Sequence, residues 1–135
     1  MNRLKIASLE VSGVCLGAMN FGTTTPEKDA FEILDAFVAA GGNFIDTSNN
    51  YAHWQGTGDE SETVLGRWLA SRGNRDKVVI ATKVGFDRHG SGQGLKRSQI
   101  EYWIDESLKK LQTDYVDLYY AHTDDPDTPL EETMS

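Results

Sequence analysis

The 135-residue sequence predicts an α/β domain built on a parallel sheet. Three observations predict it. Short apolar runs alternate with helix-period stretches four times at a regular interval, the pattern of right-handed βαβ units. The helix-period stretches carry start and stop signals. Three successive apolar runs end in an ionisable residue, Asp46, Lys83 and His122, spaced 37 and 39 residues apart, about one βα unit each time.

Leu4 to Val11 alternates loosely between apolar and polar, which predicts a small N-terminal hairpin. Val14 to Met19 predicts a strand buried on both faces. Thr25 as cap and Pro26 at the first helical position open the first helix, whose apolar face is Ala30, Ile33, Leu34, Phe37 and Val38. Gly41-Gly42 ends it, and Asn43 to Asp46 follows as the second strand. A polar loop from Thr47 to Gly58 carries Tyr51, His53 and Trp54.

Asp59 to Arg72 predicts the second helix, with Val64, Leu65, Trp68 and Leu69 on one face. Lys77 to Lys83 is the third strand, and a glycine-rich loop runs from Gly85 to Gly94. Ser98 and Glu101 form a capping box for the third helix, with Ile100, Ile104, Leu108 and Leu111 inward. Tyr115 to Ala121 is the fourth strand. Thr128-Pro129-Leu130-Glu131 repeats the cap signal, with only four residues after it. One turn has no reason to form alone, because nucleation is unfavourable. The expectation is a chain that stops inside an element, as part of something longer.

Composition narrows the function. Hydrophobic content of 39% and charged content of 25% are globular. A net charge of −8 argues against a nucleic-acid face, which needs a basic surface. The one cysteine, Cys15, excludes a disulfide framework and fits a reducing cytoplasm. No apolar run predicts a membrane span. Cys15, His53, His89 and His122 have no metal spacing, and Asp124-Asp125-Pro126-Asp127 lacks the calcium-loop pattern.

In a parallel sheet all strand C-termini lie at one edge, where ligands bind. Asp46, Lys83 and His122 therefore converge, and Tyr51 follows Asp46 by five positions. Taken singly, each has a commonplace role: Asp46 a turn or cap, Lys83 a solvated charge, His122 a surface histidine, Tyr51 packing. Taken jointly they make a candidate acid–base site. A free phenol has a pKa of about 10, and a neighbouring ammonium lowers it. Lys83 is expected to do this to Tyr51, Asp46 to pair with Lys83, and His122 to hold a substrate oxygen or assist the proton. Such a tyrosine suits protonation of a carbonyl oxygen as hydride arrives at carbon.

Longer motifs carry a family likeness. Leu16-Gly17-Ala18-Met19-Asn20-Phe21-Gly22, the run from Gly42 to Tyr51, Ser61-Glu62 with Leu65-Gly66, Val79 to Lys83, and Leu108 to Leu118 together resemble the aldo-keto reductases over nearly the whole chain. The resemblance implies an eight-stranded (β/α) barrel of TIM type and NADPH-dependent reduction of a small-molecule carbonyl substrate. It implies a catalytic tetrad of Asp46, Tyr51, Lys83 and His122, with Tyr51 the general acid, and cofactor contacts at Ala18, Met19 and Asp46.

A full barrel takes ~250 residues. Residues 1–135 are therefore expected to form a single partial barrel domain, about half of the eight units plus the hairpin, truncated at the start of the fourth helix. Activity is expected to need the other half, and the open sheet edges are expected to favour self-association. The alternatives are a cofactor-sensing regulatory barrel and an inactive fragment. A full acid set is unnecessary in a sensor.

Overall fold

The structure is a computed structural model that describes every residue except Arg88, His89 and Ser91. The centre of the predicted glycine-rich loop, and His89 as a weighed ligand, lie outside the described residues.

The chain begins with an antiparallel hairpin, β1 (Arg3–Ile6) and β2 (Leu9–Ser12), with Leu4 opposite Val11. Four parallel strands follow in sequential order: β3 (Cys15–Gly17), β4 (Phe44–Asp46), β5 (Val79–Val84) and β6 (Leu118–Ala121). The crossovers are α1 (Glu27–Ala39), α2 (Glu60–Arg72) and α3 (Arg97–Leu111). A single turn, α4 (Leu130–Thr133), closes the described chain.

The hairpin is clamped to the start of β4 by one side-chain pair. Ser12 N–H donates to Asn43 Oδ1 at 2.6 Å, and the Ser12 hydroxyl oxygen accepts from Asn43 N–H at 3.1 Å. Asn43 Nδ2 donates to the Glu10 carbonyl at 2.9 Å.

Register fixes the two faces of the sheet, because parallel partners point the same way and successive residues alternate. Leu16, Ile45 and Ile80 are in register and face the helices. There they join Ala30 and Leu34 of α1, Val64, Leu65, Trp68 and Leu69 of α2, and Leu111 of α3 in one core. Gly17, Asp46, Ala81 and Leu118 are in register on the opposite face, and Lys83 pairs with Tyr120 two residues on. That face is partly open: Cys15 and Tyr120 are exposed. The expectation that the first strand is buried on both sides is therefore corrected. The helices cover one side only, and Val14 just before β3 is exposed.

Helix ends differ in detail from the sequence reading. Pro26, not Thr25, occupies the cap position of α1, its carbonyl accepting from Ala30 N–H at 2.9 Å. Its end is as expected: Gly41 is left-handed at φ 88°, and Gly42 N–H donates to the Phe37 carbonyl at 2.9 Å. Ile33 is exposed and Phe31 packs on the core instead.

In α3 the cap lies two residues before Ser98. Lys96 N–H donates to Gln99 Oε1 at 3.2 Å, while Glu101 pairs with Arg97. The turn at α4 does form, with Pro129 as its cap, because other elements hold it. Arg97 N–H donates to Glu132 Oε1 at 3.3 Å, and the Thr133 hydroxyl to the Leu95 carbonyl at 3.1 Å.

Candidate active site

The C-terminal ends of β4, β5 and β6 bring the predicted residues together. Asp46 is the last residue of β4, Lys83 the fifth of β5, and His122 follows β6 with its N–H donating to the Val84 carbonyl at 2.7 Å. The Lys83 ammonium donates to both Asp46 oxygens at 2.7 Å and to the Thr47 carbonyl at 2.7 Å. It also contacts the Tyr51 hydroxyl and lies 4.4 Å from the Tyr51 ring centre. Tyr51 Oη donates to Asp46 Oδ2 at 2.7 Å. The His122 ring stands edge-on to Tyr51, centroids 5.9 Å apart.

The electrostatics correct one expectation. Lys83 was expected to depress the Tyr51 pKa; here the phenol is pushed above its ordinary value of 10. Burial is the largest cause, then the hydrogen bond to Asp46, then the Asp46 charge. The ammonium is already neutralised by the carboxylate that accepts the phenol's proton, so its pull on the phenolate is cancelled. Burial, followed by Lys83, also lowers the His122 pKa, with Asp46 opposing. Partial burial of the sulfur, and then the Asp46 charge, push the Cys15 thiol up to about 11.

A cavity of about 170 Å³ opens over this group, lined by Met19, Asn50, Tyr51, His53, Trp54, Phe86 and His122. Ala18 is fully buried, held by its carbonyl accepting from Ser61 Oγ at 2.8 Å. Of the three predicted cofactor contacts, Met19 and Asp46 are thus accessible at the sheet edge, while Ala18 offers no side-chain surface. Among the described residues, no atom stands within 4 Å of where a Cβ on Gly17 would be, so the backbone is open to solvent there.

Sequence reasoning missed the stretch after Asp46. Thr47, Ser48, Asn49 and Asn50 were read as a polar loop, yet all four are buried. Thr47 Oγ1 and Ser61 Oγ share a hydrogen bond of 2.7 Å, Asn49 Nδ2 donates to Gln93 Oε1 at 3.0 Å, and Ser48 Oγ lies 3.2 Å from His122 Nδ1. Local sequence carries no signal for this burial, because the partners Ser61, Gln93 and His122 come from other parts of the chain. Glu62 was also missed. It is fully buried in α2 and accepts from Thr82 Oγ1 at 2.6 Å, bracing the residue before Lys83.

A family model for the aldo/keto reductase family matches residues 13–135. The chain belongs to that family. It is 43% identical to norsolorinic acid reductase stcV of Emericella nidulans, over 96% of this chain and 36% of that protein. It is 44% identical to aldo-keto reductase ausK of the same organism, over 95% of this chain and 35% of that protein. Its structure superposes on the holo form of aldo-keto reductase AKR11C1 from Bacillus halodurans with a TM-score of 0.81 and 32% identity, covering 98% of this chain and 44% of that one. The four parallel strands are therefore units of a TIM-type (β/α) barrel, and the chain spans about a third of the length of these two curated relatives. Among the described residues no helix is long and apolar enough to cross a membrane, and no cluster of His, Cys, Asp and Glu is placed to hold a metal ion.

Proposed function

We propose that this chain supplies the proton-transfer edge of an NADPH-dependent reductase of aldehydes or ketones, with Tyr51 as general acid. The observation that carries the reading is the shared proton: Tyr51 donates to Asp46 while Lys83 grips both. A phenol kept protonated across the neutral range is in the state an acid requires.

Met19 and Asp46 at the open edge, with Gly17 beneath, would hold the nicotinamide end of the cofactor, which when bound supplies hydride. The preference for NADPH over NADH rests on the family likeness. Tyr51 would then turn its proton from Asp46 to the carbonyl oxygen as negative charge develops there. Asp46 and Lys83 fix the phenol's direction, and Lys83 offsets the phenolate that proton loss leaves behind. Met19, Trp54 and Phe86 give the substrate an apolar wall.

The remaining barrel units, and with them the rest of the cofactor site, are proposed to lie beyond these 135 residues. Each outer strand, β3 and β6, has one sheet neighbour among the described residues, so its free side would pair with further units or with a second copy. The acidic net charge suits neither nucleic acid nor an anionic membrane surface, and the lone thiol suits a reducing cytoplasm.

The test is a fluorescence titration of the protein with NADPH, paired with NADPH consumption in the presence of a simple aromatic aldehyde. Binding with turnover is the expected result for a barrel-complete protein. Tight binding with no turnover of any aldehyde or ketone would support a sensor instead.

A further inference from the structure

Resting on the carbonyl-reductase reading, we infer that Asn49 and Gln93 are positioning residues. Their hydrogen bond latches the glycine-rich loop to the floor of the site, and the latched loop holds Phe86 as the cavity wall over His122. The Phe86 ring lies 5.5 Å from the His122 ring and 5.9 Å from the His53 ring, centroid to centroid, and it lines the cavity beside Tyr51. Phe86 belongs to neither β5 nor α3, so no regular element fixes its place.

Glycine gives this loop a wide choice of course, and Gly85 and Gly92 use it, left-handed at φ 103° and 72°. Side chains must therefore fix the path. Three ties hold the loop on the side away from the site. Leu95 packs on Gly85, where a Cβ would stand 2.6 Å from Leu95 Cδ2. Gln99 Nε2 donates to the Gly92 carbonyl at 2.6 Å, and Leu95 N–H donates to Asp125 Oδ2 at 2.8 Å. Asn49 supplies the tie on the site's own side. It stands three residues after Asp46, fully buried, and its Nδ2 donates at 3.0 Å to Oε1 of the nearly buried Gln93. Turning both amides over exchanges donor and acceptor and keeps the bond. Asn50 Nδ2 also approaches the Phe86 carbonyl, but at 3.4 Å, too long to hold the loop by itself.

The latch sets how dry the cavity is. Released, the loop can carry Phe86 off the His122 ring and let water in. Lys83 of β5, Asp46 of β4, Tyr51 and Ser48 also face that ring. Burial, followed by Lys83, holds the His122 pKa below its ordinary value, with Asp46 opposing. Lys83 and Asp46 sit on strands, so a loosened loop changes the burial and leaves these two charges in place. The latch thus acts on the wall that meets an apolar substrate group, and the Tyr51–Asp46–Lys83 geometry stands without it.

The experiment is an NMR titration of the His122 ring, between about pH 5 and 8, with the signal assigned by its loss in His122→Gln. Gln93→Met keeps the length of the side chain, removes the amide and lies in a loop, so the fold stands. In Gln93→Met the His122 midpoint should rise toward the ordinary 6.5. Phe86→Ala should raise it too, and adding Gln93→Met to Phe86→Ala should change nothing more, because the latch acts through that ring. An unmoved midpoint in either single variant, or a Gln93→Met shift that survives in full without Phe86, would overturn the inference. The readout needs no turnover, so its failure is separate from failure of the reductase reading.

Discussion

Lys83 Nζ sits 2.7 Å from each carboxylate oxygen of Asp46, and one of those oxygens accepts the Tyr51 proton. Two opposite charges thus cancel beside the phenol, and the hydrogen bond decides where its proton rests. Tyr51 is held as an acid by the carboxylate, while Lys83 keeps that carboxylate in place.

Asp46→Asn should reverse the balance. With the negative charge gone, Lys83 alone faces Tyr51 and favours phenolate. Tyr51 should ionise at lower pH than in the unaltered protein, read by ultraviolet difference titration against Tyr51→Phe. An unchanged titration would remove Asp46 as the group that holds the proton.

Lys83→Met leaves Asp46 unpaired at a site where its side chain is only 25% exposed. Breaking such a pair one-sidedly should cost about 3 kcal/mol of stability, measurable by urea unfolding. The Tyr51 titration should move further upward. A downward move would contradict the geometry.

Two tyrosines set an alkaline limit. Burial raises the pKa of Tyr51 and of Tyr119 above the ordinary 10. Above that pH the unfolded chain releases protons that the folded chain keeps, so stability is full below pH 10 and falls as pH rises through the folded values. Unfolding midpoints should therefore decline above pH 10, less steeply in Tyr119→Phe.

Glu62 works with the same sign. Burial raises its pKa, so its contribution is fullest below the ordinary carboxyl value and is lost as pH rises through the folded one. Glu62→Gln keeps an acceptor for Thr82 and should flatten that dependence at little cost. Glu62→Ala should lose about 2–4 kcal/mol through the unpaired Thr82 hydroxyl and the cavity left behind. Equal unfolding midpoints for the two variants would show that Thr82 does not need the bond.

The strand-end residues were legible because period and order place them: a parallel sheet puts Asp46, Lys83 and His122 at one edge whatever the side chains between them. The second-helix face was legible too, since Val64, Leu65, Trp68 and Leu69 recur at helical spacing and all are buried. Caps were misplaced by one or two residues, because Thr25, Ser98 and Thr128 are good caps in isolation and the chain's hydrogen bonds chose their neighbours. Nothing local reveals that Thr47 to Asn50 are buried. Their partners Ser61, Gln93 and His122 lie 14, 44 and 74 residues away. The direction of the Tyr51 shift was misread for a related reason: motif spacing brings Lys83 near, but only coordinates show that Asp46 takes the proton.

The most direct test of the whole account is carbonyl reduction by Tyr51→Phe, measured beside NADPH affinity in the same barrel-complete protein. The account predicts a loss of ~10²-fold or more in turnover, the scale of a positioned general acid, with the NADPH dissociation constant unchanged. Turnover equal to that of the unaltered protein would contradict it.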